Sequence, residues 1–294
     1  MIRECSSCGA VVEFPEGNVS ISCSYCASPL VDSQRAKEAV SAVAPFRIQR
    51  SVAEQKLKEH LAGHFWAPAE VRKGMVRDHL LQGVLVPFWV FQGVARSHFT
   101  AGVGIHWWRT ETYVDDKGNV RTRQVRETEW FTHSGSAICA LDGQLVSAST
   151  GLPEEESNAL EPFDLGRAEP FDARLVSGWS AELPSIGRDS ADQTCVQEVR
   201  DSEAVRVASR LIPGDETRLK SIQTQVDIDE ATLVMLPVWM ASYRHGDEVY
   251  RQLVNGQTGL CVGEVPTSRL KVLTAVVGGL LVALVIAHMV SLWN

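Results

Sequence analysis

Two C-x2-C pairs at the start of the chain, a charge-free run of 22 residues near its end, and alternating apolar segments between them predict an α+β protein. The expected parts are a metal-clipped N-terminal ribbon, a β-rich cytosolic scaffold of two antiparallel sheets with helices, and one C-terminal transmembrane helix. Composition sets the outer bounds. With 294 residues, 45% hydrophobic and 22% charged, the chain has room for one large or two modest domains and is not disordered end to end. A formal net charge of -8 argues against generic nucleic-acid binding, which leaves a basic footprint.

The ribbon comes first. Four of the seven cysteines, Cys5, Cys8, Cys23 and Cys26, fall within 26 residues. Each C-x2-C presents two thiolates on one tight turn, and two turns supply the four soft ligands of a tetrahedral zinc ion. Val11, Val12 and Phe14 read as a strand, Pro15 to Asn18 as a turn, and Val19 to Ser22 as the returning strand, giving a hairpin clipped by metal. Gly9 suits the left-handed position after the first pair, whereas Ala27 takes the matching place at a modest conformational cost. Four ligands close the coordination sphere, so one structural Zn2+ without catalysis is expected. Metal-free cysteines are the alternative. Residues 1–32 carry Arg3 against Glu4, Glu13, Glu16 and Asp32, and Tyr25 is their one ring for base stacking. Protein binding suits that surface better than nucleic acid. Met1-Ile2-Arg3-Glu4-Cys5 has no apolar core, so no signal peptide is expected and a reducing cytosol fits.

Residues 33–50 read as a linker, followed by a helix-plus-β lobe over 51–150. Ser51-Val52-Ala53-Glu54 resembles a capping box, with Leu57, Leu61 and Phe65 on one helical face. From Arg47 to His79, with Arg72, Lys73 and Arg77, seven basic residues face four acidic ones. That is a solvated face or a weak contact for anionic headgroups. A β-rich stretch runs from 85 to 140, with Asp115-Asp116-Lys117-Gly118-Asn119 as its clearest hairpin turn. Residues 151–188 form an acidic irregular connection containing the repeat Glu161-Pro162-Phe163-Asp164 and Glu169-Pro170-Phe171-Asp172. From 153 to 203 there are 13 acidic and 4 basic residues, so the chain's negative charge is concentrated there. The second lobe, 189–268, opens with a helix over 190–211. Its β unit has turns at His245-Gly246-Asp247 and Asn255-Gly256. Leu236-Pro237-Val238-Trp239 echoes Val86-Pro87-Phe88-Trp89, a short hint that the two sheets are related.

Residues 272–293 carry no charge and would span about 33 Å as a helix, enough for a hydrocarbon core of about 30 Å. Arg269 and Lys271 precede them, which places the N-terminal part in the cytosol and the helix in the inner membrane as a single-pass tail anchor in the lipid bilayer. His288 is the run's one strongly polar side chain and Trp293 suits an interface. Ala275, Gly279, Ala283 and Ala287 form a small-residue stripe open to self-association.

These residues resemble a bacterial family of membrane proteins with a TFIIB-type zinc ribbon, often given helicase or primosomal names. The ribbon cysteines, Phe65-Trp66-Ala67-Pro68, Gly83-Val84-Leu85-Val86-Pro87-Phe88-Trp89 and Leu160-Glu161-Pro162-Phe163-Asp164 carry the resemblance. Leu236-Pro237-Val238-Trp239 with Tyr243, Tyr250 and Val254-Asn255-Gly256-Gln257-Thr258-Gly259 complete it. The resemblance implies an adaptor or structural role, with partners among SPFH/flotillin-like and phage-shock-protein-A-like proteins. No phosphate-cradling G-x-x-x-x-G-K-[ST] or G-x-G-x-x-G is present, so a helicase reading has no support.

Two other function classes stay open: a nucleic-acid-binding ribbon, and an enzyme with an unrecognised site. His60-x3-His64 places two imidazoles on one helix face, but a metalloprotease needs Glu where Leu61 stands. His133 with Ser134 and Ser136 lacks a nucleophile elbow and an evident acid. No catalytic residue is assigned.

Overall fold

The computed structural model describes residues 2–73 and 81–293. The chain opens with β1 (Ile2–Glu4), β2 (Val11–Glu13), β3 (Asn18–Ser22) and β4 (Pro29–Val31), then α1 (Ser33–Ala39) and β5 (Ala42–Val43). Next come α2 (Arg50–Gly63), α3 (Ala69–Arg72) and two long strands, β6 (Gln82–Val114) and β7 (Val120–Ser147). Short elements follow: α4 (Glu154–Leu160), β8 (Glu169–Pro170), α5 (Ala173–Val176) and β9 (Ser180–Glu182). The remainder is α6 (Arg188–Arg206), β10 (Glu216–His245), β11 (Glu248–Asn255), β12 (Cys261–Gly263) and α7 (Arg269–Trp293). Arg77 and His79 of the expected basic stretch lie outside the described residues, as do the side chains of His288 and Trp293.

The chain separates into two discontinuous units, whereas the sequence suggested consecutive lobes. Unit 1 comprises Met1–Phe88, Ser147–Ile186 and Leu233–Asn294. Its core gathers Ala53, Leu57 and Leu61 of α2 with Trp239, Ala241 and Tyr243 of β10 and Val254 of β11. Helical spacing puts the three α2 side chains on one stripe. The helix begins earlier than the capping-box reading implied: Gln49 is its N-cap, without a side-chain cap, and Ser51 lies inside the first turn. It also ends at Gly63, before the expected core residue Phe65, whose ring is 65% exposed. The Phe65-Trp66-Ala67-Pro68 turn has another task. Its carbonyls at Phe65 and Ala67 accept hydrogen bonds from Lys271 Nζ at 2.8 and 2.7 Å, fixing the start of α7.

Unit 2 comprises Trp89–Val146 and Gly187–Thr232. Here α6 covers the sheet with Ala191, Cys195 and Val199, packed on Phe91, Ala95 and Val146. A buried polar cluster fixes the far end of the helix. Arg206 Nε and Nη2 donate to both carboxylate oxygens of Glu203 at 2.6 and 2.7 Å, and Ser97 Oγ donates to Oε2 at 3.2 Å. The Arg206 guanidinium holds the Glu203 carboxyl below its ordinary range against the cost of burial. Beyond Arg206 the last turn widens into a π-helical turn, Val207–Leu211, so the expected helix end survives with altered pitch. The Asp115–Asn119 turn forms as its sequence indicates. Asp115 Oδ1 accepts from Lys117 N and Asn119 N at 3.0 and 2.9 Å, and Gly118 takes a φ of +80°.

Two expectations of fold class are corrected. The first concerns the sheets. Instead of two separate antiparallel sheets, the strands form a two-stranded pair, β1-β2, and one ten-stranded network in which β6 and β10 are neighbours. The pairing is also mixed, since β5 runs parallel to β10 and β9 parallel to β6. The sequence echo gains a physical meaning in this arrangement. Pro87 O accepts Ala148 N at 3.0 Å and Pro237 O accepts Gly256 N at 2.8 Å. Each Pro-x-Trp strand is thus met at its proline carbonyl by the chain returning to it.

The second correction concerns the C-terminus. Among the described residues, no helix is long and apolar enough to cross a membrane. This overturns the expected transmembrane helix over 272–293, and with it the tail anchor and single-pass placement in the inner membrane. Leu273, Leu280, Leu281 and Leu284 are exposed on this helix, and Gly279 of the small-residue stripe has open space around it.

Unit 2 yields a stability prediction at Gly93. A Cβ there would overlap the Asp227 carbonyl oxygen, and backbone on backbone cannot yield as a flexible side chain can. Gly93→Ala should lower stability by about 1–3 kcal/mol in denaturant melts. Gly63→Ala, at the end of α2 with nothing within 4 Å, serves as the control. Equal stability of the two variants would refute the close approach.

Candidate metal centre

The two C-x2-C turns are built alike. Cys5 N donates to Ala10 O and Cys23 N to Ser28 O, both at 2.8 Å. Gly9 N then closes onto Cys5 O at 2.8 Å, and Ala27 N onto Cys23 O at 2.9 Å. These bonds wrap successive amides around the sulfurs and require a left-handed residue at the fifth position. Gly9 meets that requirement at φ +72° and Ala27 at φ +58°. Ala27 is the one described non-glycine residue with positive φ, so the conformational cost read from the sequence is real.

The strands pair differently from the expected hairpin. Val11–Glu13 does not return onto residues 19–22. It pairs antiparallel with β1, Ile2 opposite Glu13 and Glu4 opposite Val11, so the first C-x2-C lies at the turn of its own hairpin. The second lies between β3 and β4, with Ser20 opposite Val31 and Ser22 opposite Pro29. Each hairpin is short and the core beneath them is slight: Cys5, Val12, Phe14, Cys23 and Leu30 are its buried members. One ion pair ties the ends together. Arg3 Nη2 donates to Asp32 Oδ2 at 2.6 Å, and the Asp32 side chain is 5% exposed. The lone base among four acids was visible in the sequence, but its partner was not.

All four expected ligands converge. The Sγ atoms of Cys5, Cys8, Cys23 and Cys26 lie within 4.8 Å of one another, close enough to hold a metal ion. Cys5 and Cys26 are 3.7 Å apart, Cys8 and Cys23 3.9 Å. Disulfides need about 2.05 Å, and all four cysteines are free. Four sulfurs about 2.3 Å from a tetrahedral ion stand about 3.8 Å from each other. The observed spacing therefore fits a four-thiolate shell.

Electrostatics point the same way. The Ser28 hydroxyl and amide draw the Cys26 thiol down to about 6, with help from Cys8. Cys8 is pushed up to about 12: the Ala10 amide favours its thiolate, but Cys26, burial, Cys5 and Cys23 together outweigh it. Four thiolates this close cannot all ionise without a cation among them.

The structure also places the other chemically capable residues. Cys195 is buried on the core face of α6, and burial pushes the Cys261 thiol up to about 11. Ser134 Oγ is 3.2 Å from Thr100 Oγ1, while the His133 ring packs on Phe99 with centroids 6.1 Å apart. His60 and His64 do meet, on α2. The Asn255-Gly256 region, a hairpin signal in the sequence, is a structural joint. Asn255 Nδ2 donates to Leu160 O and Pro162 O at 2.8 and 3.1 Å, while its Oδ1 accepts Gln257 N at 2.8 Å and Thr258 N at 3.0 Å. Gln257 Oε1 accepts Asp164 N at 2.7 Å. Two motifs nearly a hundred residues apart are thereby locked together.

Fold and site together define a β-rich chain whose N-terminal hairpins bring four cysteines close enough to hold a metal ion. A Bacillus subtilis (strain 168) protein described as "Uncharacterized protein YdjG" is 25% identical over 142 residues, covering 47% of this chain and 42% of that protein. The chain thus spans less than half the length of the curated relative it matches. No family model matches the chain, and no solved structure matches it significantly.

The strained knuckle gives a direct test. Ala27→Gly should relieve the left-handed cost and raise ribbon stability by about 1 kcal/mol, read as slower metal loss to a competing chelator. Faster loss would mean that Ala27 is not held in that conformation.

Proposed function

We propose that the chain is a non-catalytic adaptor whose ribbon is closed by one structural zinc ion and binds protein partners. Zinc is favoured because four thiolates in a tetrahedral shell suit a soft, geometrically indifferent ion, and because four ligands leave no position for substrate.

The carrying observation is the surface of the β1-β2 hairpin. Ile2, Glu4, Val11 and Glu13 all project from one face. Ile2 is 73% exposed and Val11 65%, an apolar diagonal framed by two carboxylates. Buried Val12 and Phe14 hold the opposite face on the ribbon core. An exposed apolar pair on a metal-rigidified scaffold supports docking, because little conformational freedom is lost on binding. The flanking acids favour a partner that brings apolar and basic groups. Proteins of the SPFH/flotillin-like and phage-shock-protein-A-like types are the first candidates, since the family resemblance implies them. Nucleic acid fits poorly: phosphates would meet Glu4 and Glu13 on the same face.

The test compares proteins retained from bacterial extract by the full chain and by Ile2→Asp/Val11→Asp, with metal content measured in both. The proposal expects the variant to keep its metal and lose its specific partners. An unchanged set of retained proteins would refute this face, and no specific partner for either form would refute the adaptor reading.

A further inference from the structure

Outside the ribbon, two imidazoles meet near the C-terminal end of α2. His60 and His64 are four residues apart, and His64 is the C-cap of the helix. Their rings stand edge to face, with centroids 4.8 Å apart at 72°. The two Nε2 atoms are 3.3 Å apart. A metal held at about 2.0–2.1 Å by two imidazoles with a tetrahedral angle between them places the nitrogens about 3.3–3.4 Å apart. The pair already stands at chelating distance, so binding would require little rearrangement.

The surroundings favour an ion at this place. The final carbonyls of a helix carry the negative end of its dipole, which favours a cation. The charged neighbours are Lys56 and Glu59 of α2, paired with each other at 3.7 Å, and Arg72 of α3, whose Nε already donates to Ala62 O in the last turn of α2 at 3.3 Å. From α7, Lys271 approaches the adjoining turn, but its ammonium is engaged by the Phe65 and Ala67 carbonyls.

We propose that His60 and His64 form a second metal site, taking one borderline divalent transition ion of the zinc, nickel or copper class. Two protein nitrogens leave the remaining positions to water, so this site is open where the ribbon site is closed. Leu61, buried in the unit 1 core, occupies the place where a hydrolytic zinc site of this spacing carries its glutamate base. The site therefore binds an ion without activating water by that route.

The test uses the full chain preloaded with one equivalent of Zn2+ and titrated with Ni2+ by calorimetry and metal analysis. One nickel ion per chain is expected beyond the ribbon's ion, released as the pH falls below the imidazole range near 6.5. His64→Ala, at an exposed position, should weaken that binding at least about tenfold while retaining the first ion. His60→Gln should do the same. Retention of the first ion together with an unchanged circular dichroism spectrum separates a lost ligand from a lost fold. No second ion in the wild type, or wild-type affinity in a folded His64→Ala variant, would overturn the site.

Discussion

The mutual repulsion of four thiolates is the constraint on which the N-terminal part of the molecule depends. Two hairpins, β1-β2 and β3-β4, meet over five buried residues, too small a core to offset the chain entropy of thirty ordered ones. An ion at the centre would turn repulsion into attraction and join the hairpins at once, making metal binding and folding of the ribbon one equilibrium. The Arg3–Asp32 pair reinforces that closure from the outside. It is secondary, because a single partly exposed ion pair contributes on the order of 1 kcal/mol.

The ribbon is not a pendant module. Its third strand also pairs with β9, Asn18 opposite Glu182 and Ser20 opposite Ala181, and β9 runs parallel to β6. Leu183 N adds a bond to Gly17 O at 2.7 Å. Closing the metal site therefore orders one end of the unit 1 sheet as well as the hairpin that displays Ile2 and Val11. Under the proposed function the metal would perform no reaction and would make a small surface rigid enough to be recognised.

Much of this was legible in the sequence because it rests on local chemistry. The cysteine spacing located the four cysteines that converge, Gly9 and Ala27 announced the left-handed knuckle positions, and Asp115 to Asn119 announced its turn. Strand pairing was less legible, since any short strand in the ribbon has several chemically equivalent partners. Residues 11–13 paired with residues 2–4, not with 19–22. The capping motif at Ser51 failed because Gln49 starts the helix from an extended backbone without a side-chain cap. Long-range joints were hidden altogether. Nothing local links Asn255 to Leu160, or tells that Phe65 contributes its carbonyl to Lys271 instead of its ring to the core. The Pro-x-Trp echo was visible as a pattern, but two strands of one network could not be distinguished from two sheets. Hydropathy over 272–293 pointed to a membrane span, yet among the described residues no helix is long and apolar enough to cross a membrane.

The measurement that bears most directly on the central claim is replacement of the ribbon's ion with Co2+. Cobalt has no colour of consequence in an octahedral water shell but absorbs strongly when held tetrahedrally by thiolates. The account predicts one thiolate-bound cobalt per chain with intense tetrahedral and sulfur-to-metal bands, each weakened in single Cys→Ser variants at positions 5, 8, 23 and 26 but not at 139, 195 or 261. A weak octahedral spectrum, or bands that persist through all four ribbon substitutions, would contradict it.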